Sequence, residues 1–187
     1  MPYPTQITPE RVLEQAEALL EQHGAEQMSL HQLAAALGVK TPSLYRYYAG
    51  KAELLRAVNL RTVERLIAAM KAAAEPASGS DAERVLRMGA AYRQFAHRQP
   101  KAYALAFGAT EPAARPDPAV MAALAQEIQA VIAPVSGDAT SLTALRGLWA
   151  LVHGFVMIEL AGQFQRGGDL DAAYETALRS YIRGLEG

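Results

Sequence analysis

Residues 29–51, Ser-Leu-His-Gln-Leu-Ala-Ala-Ala-Leu-Gly-Val-Lys-Thr-Pro-Ser-Leu-Tyr-Arg-Tyr-Tyr-Ala-Gly-Lys, constrain the fold of this chain more than any other stretch. They read as two short helices joined by a tight turn. Ser29 suits an N-cap, and Gln32 stands at capping-box spacing from it. Leu30, Leu33, Ala34 and Leu37 give one apolar face at helical spacing. Gly38 stops that helix, because glycine enters the left-handed conformation at little cost. Thr41 can cap a second helix, and Pro42 fits its first turn. Over a helix from Thr41 to Tyr48, Leu44 and Tyr48 point inward. Pro42, Arg46 and, at the flank, Tyr45 point outward, with Ser43 and Tyr47 on the other flank.

Such a pair fixes its second helix on its first through a few small and apolar contacts, and can lay it in the DNA major groove. Ala34 is small where the helices should cross, and Val39 can plug the turn. The outward side chains suit a nucleic-acid surface. Lys40, Arg46 and Lys51 carry positive charge, and Thr41, Ser43, Tyr45 and Tyr47 carry hydroxyls for phosphate or base edges. The alternative at this point is an ordinary helical hairpin with half-buried tyrosines.

Residues 37–55, Leu-Gly-Val-Lys-Thr-Pro-Ser-Leu-Tyr-Arg-Tyr-Tyr-Ala-Gly-Lys-Ala-Glu-Leu-Leu, resemble the signature of the tetracycline-repressor (TetR) family of transcriptional regulators. Tyr48 replaces the family's common Phe and keeps an aromatic plug. The resemblance implies an all-α fold of about nine helices: a three-helix helix-turn-helix domain over residues 1–52, with the motif at about 29–48, then a helical-bundle domain for ligand binding and dimerisation over 53–187. By the same resemblance Lys40, Thr41, Pro42 and Ser43 face the groove. Tyr45, Tyr47 and Lys51 hold phosphates, and Ser29 touches the DNA backbone. Trp149-Ala-Leu-Val-His153-Gly154, followed by Phe155 and Glu159-Leu160, is similar to the Trp-x-x-x-His-Gly pattern of one C-terminal subclass of that family.

Helical patterns fill the rest of the chain. Thr8-Pro9 opens a helix with an apolar stripe at Val12, Leu13, Ala16, Leu19 and Leu20, ending at His23-Gly24. Its carboxylates Glu10, Glu14, Glu17 and Glu21 are expected on the solvated side, away from DNA. A helix from about 51 to 74 follows, then a Pro-Gly-Ser break. Ser80 and Glu83 make a second capping-box spacing before a helix to about His97. Shorter patterns run over 100–107 and 118–132. A long apolar helix spans about 141–165, and an amphipathic one about 170–185. Arg146, His153 and Glu159 interrupt the long helix, so it is not expected to span a membrane.

At 100° per residue, Gly147, Leu151, Gly154, Ile158 and Gly162 share one side of the long helix. With Tyr174, Leu178 and Tyr181 of the last helix they are expected to form a symmetric four-helix dimer interface. The alternative is that these faces complete one subunit's core. Trp149 and His153 share the opposite face. With Tyr103, Phe107, Met121 and Met157 they could line a pocket for an apolar or aromatic ligand, oriented by His153 or Glu159.

The net charge is −1, so DNA binding must rest on a local patch. With no cysteine there is no disulfide framework and no thiolate metal site. No Glu-x-x-His pair, Gly-rich phosphate loop or Gly-x-Ser-x-Gly elbow points to an enzyme, and neither a metal nor another cofactor is expected. The N-terminal residues lack the pattern of a signal peptide. The expectation is a cytoplasmic homodimeric regulator, a repressor released from a palindromic operator by a small, largely apolar effector. An all-α enzyme and a helical adaptor are the competing readings.

Overall fold

The computed structural model describes residues 7–75, 79–108 and 111–186. Among them are eight α-helices, two 3-10 elements and no strand. The α-helices are α1 (Pro9–Gln27), α2 (Leu30–Ala36), α3 (Lys51–Ala74), α4 (Asp81–Arg98), α5 (Pro100–Phe107), α6 (Pro118–Ser136), α7 (Ser141–Leu160) and α8 (Leu170–Arg183). The 3-10 elements are Thr41–Arg46 and Pro112–Ala114.

The chain forms two compact units. One comprises the residues up to Val63 together with Gln99–Asp117, and the other Glu64–Arg98 together with the residues from Pro118 onward. The division therefore falls inside α3, eleven residues past the boundary expected at 52/53. Helix α5, expected in the C-terminal domain, packs on α1 instead.

In the first unit the stripe on α1 is buried as its spacing requires, with Val12, Ala16 and Leu20 wholly enclosed. Leu33 and Ala34 of α2, Leu44, and Leu54 and Val58 of α3 close the same core. Thr8 caps α1 by accepting from the Arg11 amide at 3.3 Å. Gly24 does not end α1. It breaks it with φ 80°, ψ 164°, and helical residues resume to Gln27. Met28 then enters the core.

In the second unit α4 is the hub, packing on α6, α7 and α8. Tyr92 and Met88 of α4, Ile132 of α6, Val156 of α7 and Ile182 of α8 are buried there. Helices α4 and α8 cross closely at Gly89, where a Cβ would come within 2.7 Å of Leu178 Cδ1. The Tyr174 hydroxyl donates to the Gly89 carbonyl at 2.8 Å across this crossing. Helix α7 stops at Leu160, short of the expected 165. Gly162, at φ 65°, terminates it through the paired bonds Gly162 N to Glu159 O and Gln163 N to Ile158 O. Helix α6 runs on to Ser136 and carries Pro134 inside its last turn, past the expected end near 132. Both α6 and α7 are long and apolar enough to cross a membrane by length and composition; sequence reading singled out only the second.

Leu44 is 1% exposed and joins the 3-10 element to α2 and α3. Leu44→Ala should destabilise the protein by about 2–5 kcal/mol, the usual range for emptying a leucine site. Urea unfolding followed by far-UV circular dichroism measures this.

Candidate nucleic-acid interface and effector region

The turn between α2 and Thr41 is built from its sequence. Ser29 Oγ accepts the Gln32 amide at 3.2 Å while the Gln32 side chain accepts the Ser29 amide at 2.8 Å. This completes the capping box. Gly38, at φ 70°, closes α2 with Gly38 N to Ala35 O and Val39 N to Ala34 O, a Schellman motif. Val39 packs against the core as expected.

The second element differs from expectation. Thr41–Arg46 is a 3-10 helix, not an α-helix reaching Tyr48. Short pieces take this form readily, with three residues per turn and side chains at i and i+3 eclipsed. The lines become Thr41-Leu44-Tyr47, Pro42-Tyr45 and Ser43-Arg46. Burial follows them: Leu44 is enclosed, Thr41, Ser43 and Tyr47 are half-buried, and Pro42, Tyr45 and Arg46 are exposed. Tyr45 is 54% exposed, a large value for a tyrosine and one that leaves its hydroxyl clear.

Tyr47 is therefore turned inward. Its hydroxyl donates to the Ile7 carbonyl at 2.6 Å, and Arg46 lies over its ring at 5.6 Å. The phosphate contact expected from Tyr47 gives way to an anchor for the chain entering α1. Lys51, at the start of α3, donates to the Glu26 carbonyl at 3.1 Å. Lys40 is exposed, and Ser29 is half-buried at its cap.

The acidic face of α1 is only partly solvated. Arg61 pairs with Glu17 at 3.3 Å and Glu14 at 3.6 Å. Glu21 accepts the Ala102 amide at 2.6 Å and the Lys101 amide at 3.4 Å, so a carboxylate of α1 caps α5. Asn59, 1% exposed, donates to the Ala114 carbonyl at 2.7 Å, and Arg56 donates to Ala113 at 2.9 Å. None of these links was visible in local sequence, since each joins residues more than forty positions apart.

The expected effector residues are distributed over both units. Tyr103 and Phe107 lie in the first unit, with ring centroids 5.0 Å apart. In the second unit Trp149 stacks on His153 at 5.8 Å and meets Tyr92 edge-on at 5.5 Å. Tyr92 Oη and His153 Nδ1 are 3.2 Å apart. Burial pushes the imidazole below its ordinary value, which favours the neutral ring. Met121 and Met157 are half-buried in the same unit.

Glu159 belongs to a different cluster. Arg93 of α4 grips it with two bonds, at 2.8 Å to Oε2 and 2.5 Å to Oε1, and His97 Nε2 lies 3.0 Å from Oε2. Arg93 also reaches Asp171 of α8 at 2.7 Å and lies over the Tyr174 ring. The Arg93 charge makes Glu159 a tie between α4 and α7. A cleft of about 730 Å³ borders this cluster between α4 and α8.

The expected dimer residues also divide. Tyr174 and Leu178 are 3% and 2% exposed within one chain and belong to its core. Gly147 is covered by Tyr181, whose hydroxyl donates to the Ala144 carbonyl at 2.9 Å. Gly162 is the helix stop already described. Leu151 is half-buried, whereas a Cβ on Gly154 would meet open space and Ile158 is exposed. Leu142 and Ala150 are exposed too.

A helix-turn-helix with a pinned second element, followed by a separately packed helical unit, defines a DNA-binding regulator of the one-component kind. Residues 12–58 match the family model for bacterial regulatory proteins of the tetR family, and residues 85–181 match the tetracyclin repressor-like C-terminal domain. The chain belongs to the TetR family of helix-turn-helix transcriptional regulators. It is 31% identical to an uncharacterized HTH-type transcriptional regulator, Rv0681, of Mycobacterium tuberculosis, over 98% of this chain and 84% of that one. Over 54 residues, 29% of this chain and 20% of the other, it is 48% identical to the HTH-type transcriptional repressor DrrR1 of Streptomyces coeruleorubidus. Its fold matches that of a substituted form of TetR from Acinetobacter baumannii AYE in complex with minocycline, with TM-score 0.71, 22% identity and 97% of each chain covered.

Arg93, chiefly, with help from His97, holds the Glu159 carboxyl down at about 2 against an ordinary 4.5. A depressed acid stabilises the fold above its ordinary value and loses that contribution as pH falls toward the folded one. The contribution of Glu159 is thus complete above about pH 4.5 and lost on acidification from there to about pH 2. Glu159→Gln should lower the melting temperature at neutral pH and flatten its fall across that acid range, as thermal melts at stepped pH will show.

Proposed function

We propose that the protein is a homodimeric, cytoplasmic repressor whose 3-10 element from Thr41 to Arg46 enters the major groove of each half of a palindromic operator. The observation that carries this reading is the burial of Leu44 beneath an outward line of Pro42 and Tyr45, flanked by Lys40, Ser43 and Arg46. A buried leucine fixes the element and leaves these polar and basic side chains toward solvent. Lys40, Thr41, Pro42 and Ser43 discriminate bases. Tyr45, Arg46 and Lys51 hold phosphates, with Ser29 beside the backbone at the start of α2.

Two subunits meet through the outer faces of α7 and α8. Ala150, Gly154 and Ile158, four residues apart in turn, leave an apolar strip on α7 that one chain does not fully cover. Two-fold symmetry then sets the recognition elements about 34–36 Å apart, one helical turn of DNA or a multiple of it. The effector is a small, largely apolar molecule held beside Trp149 and the neutral His153, in keeping with the Trp-x-x-x-His-Gly subclass. Minocycline in the Acinetobacter baumannii protein and the repressor name of the Streptomyces coeruleorubidus relative support the two halves of this assignment. Regulation without catalysis is the activity assigned.

Fluorescence anisotropy against the DNA upstream of the protein's own gene, with random duplex as control, tests the reading. Selective binding of two subunits per site is expected. If neither that DNA nor any sequence selected from a random pool is bound better than random duplex, the proposal is wrong. Lys51→Ala should weaken binding about tenfold on every sequence and reduce the magnitude of the salt slope by about one. Ser43→Ala should instead relax discrimination at particular bases.

A further inference from the structure

The first unit contains a second cleft, of about 950 Å³, that the operator reading touches only at Lys51. Its volume is in the range of small-molecule sites, about 300–1,000 Å³. It opens beside the break in α1 at Gly24, and its walls come from α1, the start of α3, α5 and the segment after α5. Leu55 and Leu105 give it an apolar floor, and Ala104 stands exposed at its rim.

Two lysines line it from opposite elements, Lys51 of α3 and Lys101 of α5. Neither ammonium pairs with a carboxylate among the described residues. Lys51 donates to the Glu26 carbonyl at 3.1 Å, and Lys101 to the Gln22 carbonyl at 2.7 Å. These carbonyls lie four residues apart, on either side of the break. An ammonium has three donors, so each lysine keeps two for a guest. Glu26 and Glu111 also border the cleft, but both are exposed and keep their hydration. Lys51 is half-buried, so its charge is the one that gains most from a counter-ion in the cleft.

We propose that this cleft binds a small carboxylate with an apolar body, the carboxylate between Lys51 and Lys101 and the body over Leu55 and Leu105. The site is separate from the effector region beside Trp149. Lys51 also carries a phosphate contact in the operator reading. Resting on that reading, an occupied cleft and a bound operator draw on the same ammonium.

The test is a titration of the full-length protein, without DNA, followed by amide chemical shifts in ¹H–¹⁵N spectra. Its result is therefore independent of the operator reading. Decanoate below its aggregation threshold is the anionic probe, and decyltrimethylammonium the cationic control. Decanoate should shift Ala25, Ala52 and Leu105 saturably, while the cation should not. Lys101→Gln should weaken decanoate at least tenfold. Ala104→Phe should abolish it by covering the mouth of the cleft from the rim with both lysines retained. Both positions are exposed, so both variants should keep the dispersed spectrum of a folded chain. Equal binding of the cation, shifts confined to the second unit, or wild-type decanoate affinity in both variants would overturn the proposal.

Discussion

The burial of Leu44 is the constraint on which the DNA-reading surface depends. One enclosed apolar side chain seats a six-residue element. Because the element is 3-10, its side chains fall on three lines, and seating one line inward fixes the other two. The inward line is completed at one end by Tyr47, whose hydroxyl ends on the Ile7 carbonyl. The residues free to meet DNA are thus determined by what the core takes. Pro42 and Tyr45 stand outward because Leu44 and Tyr47 stand inward.

Features set by neighbours in sequence were legible. The capping boxes at Ser29–Gln32 and Ser80–Glu83 form as their spacing requires, and Gly38 makes its turn. The apolar stripe of α1 and the all-helical class follow from periodicity. What escaped was of two kinds. Helix type within a short element is invisible to pattern, because Thr41-Pro42 opens a 3-10 turn as readily as an α-helix. That ambiguity turned Tyr47 from a flank to a half-buried place against the core. Long-range polar partners escaped as well. Nothing near Glu21 announces that it caps α5, and nothing near Glu159 announces Arg93. The glycines of α7 also have separate surroundings within the chain that spacing does not reveal: Gly147 accommodates Tyr181, and Gly162 is a helix stop.

The two units use charge differently. In the first, Arg61 pairs with Glu17 and Glu14, but other charged side chains end on backbone groups: Glu21 on the α5 amides, Lys51 and Lys101 on α1 carbonyls, and Arg56 on Ala113. Each such bond joins an element to a helix end or loop without needing a second charge. In the second unit, charges meet charges on three helices around Arg93. The aromatic group of Tyr92, Trp149 and His153 is held by ring contacts and by the approach of Tyr92 Oη to His153 Nδ1, with the imidazole pushed below its ordinary value by burial.

Arg93 has a consequence for how this chain can change over generations. One guanidinium serves Glu159 and Asp171 and also covers Tyr174 and Phe155. Losing it strands a nearly enclosed carboxylate, whereas replacing the buried pair together by well-packed apolar residues is often neutral. The intermediate with only one member replaced is the poor state. Arg93 and Glu159 are therefore tied in inheritance as they are in space, and sequences that drift away from this pair should lose both in close succession or neither.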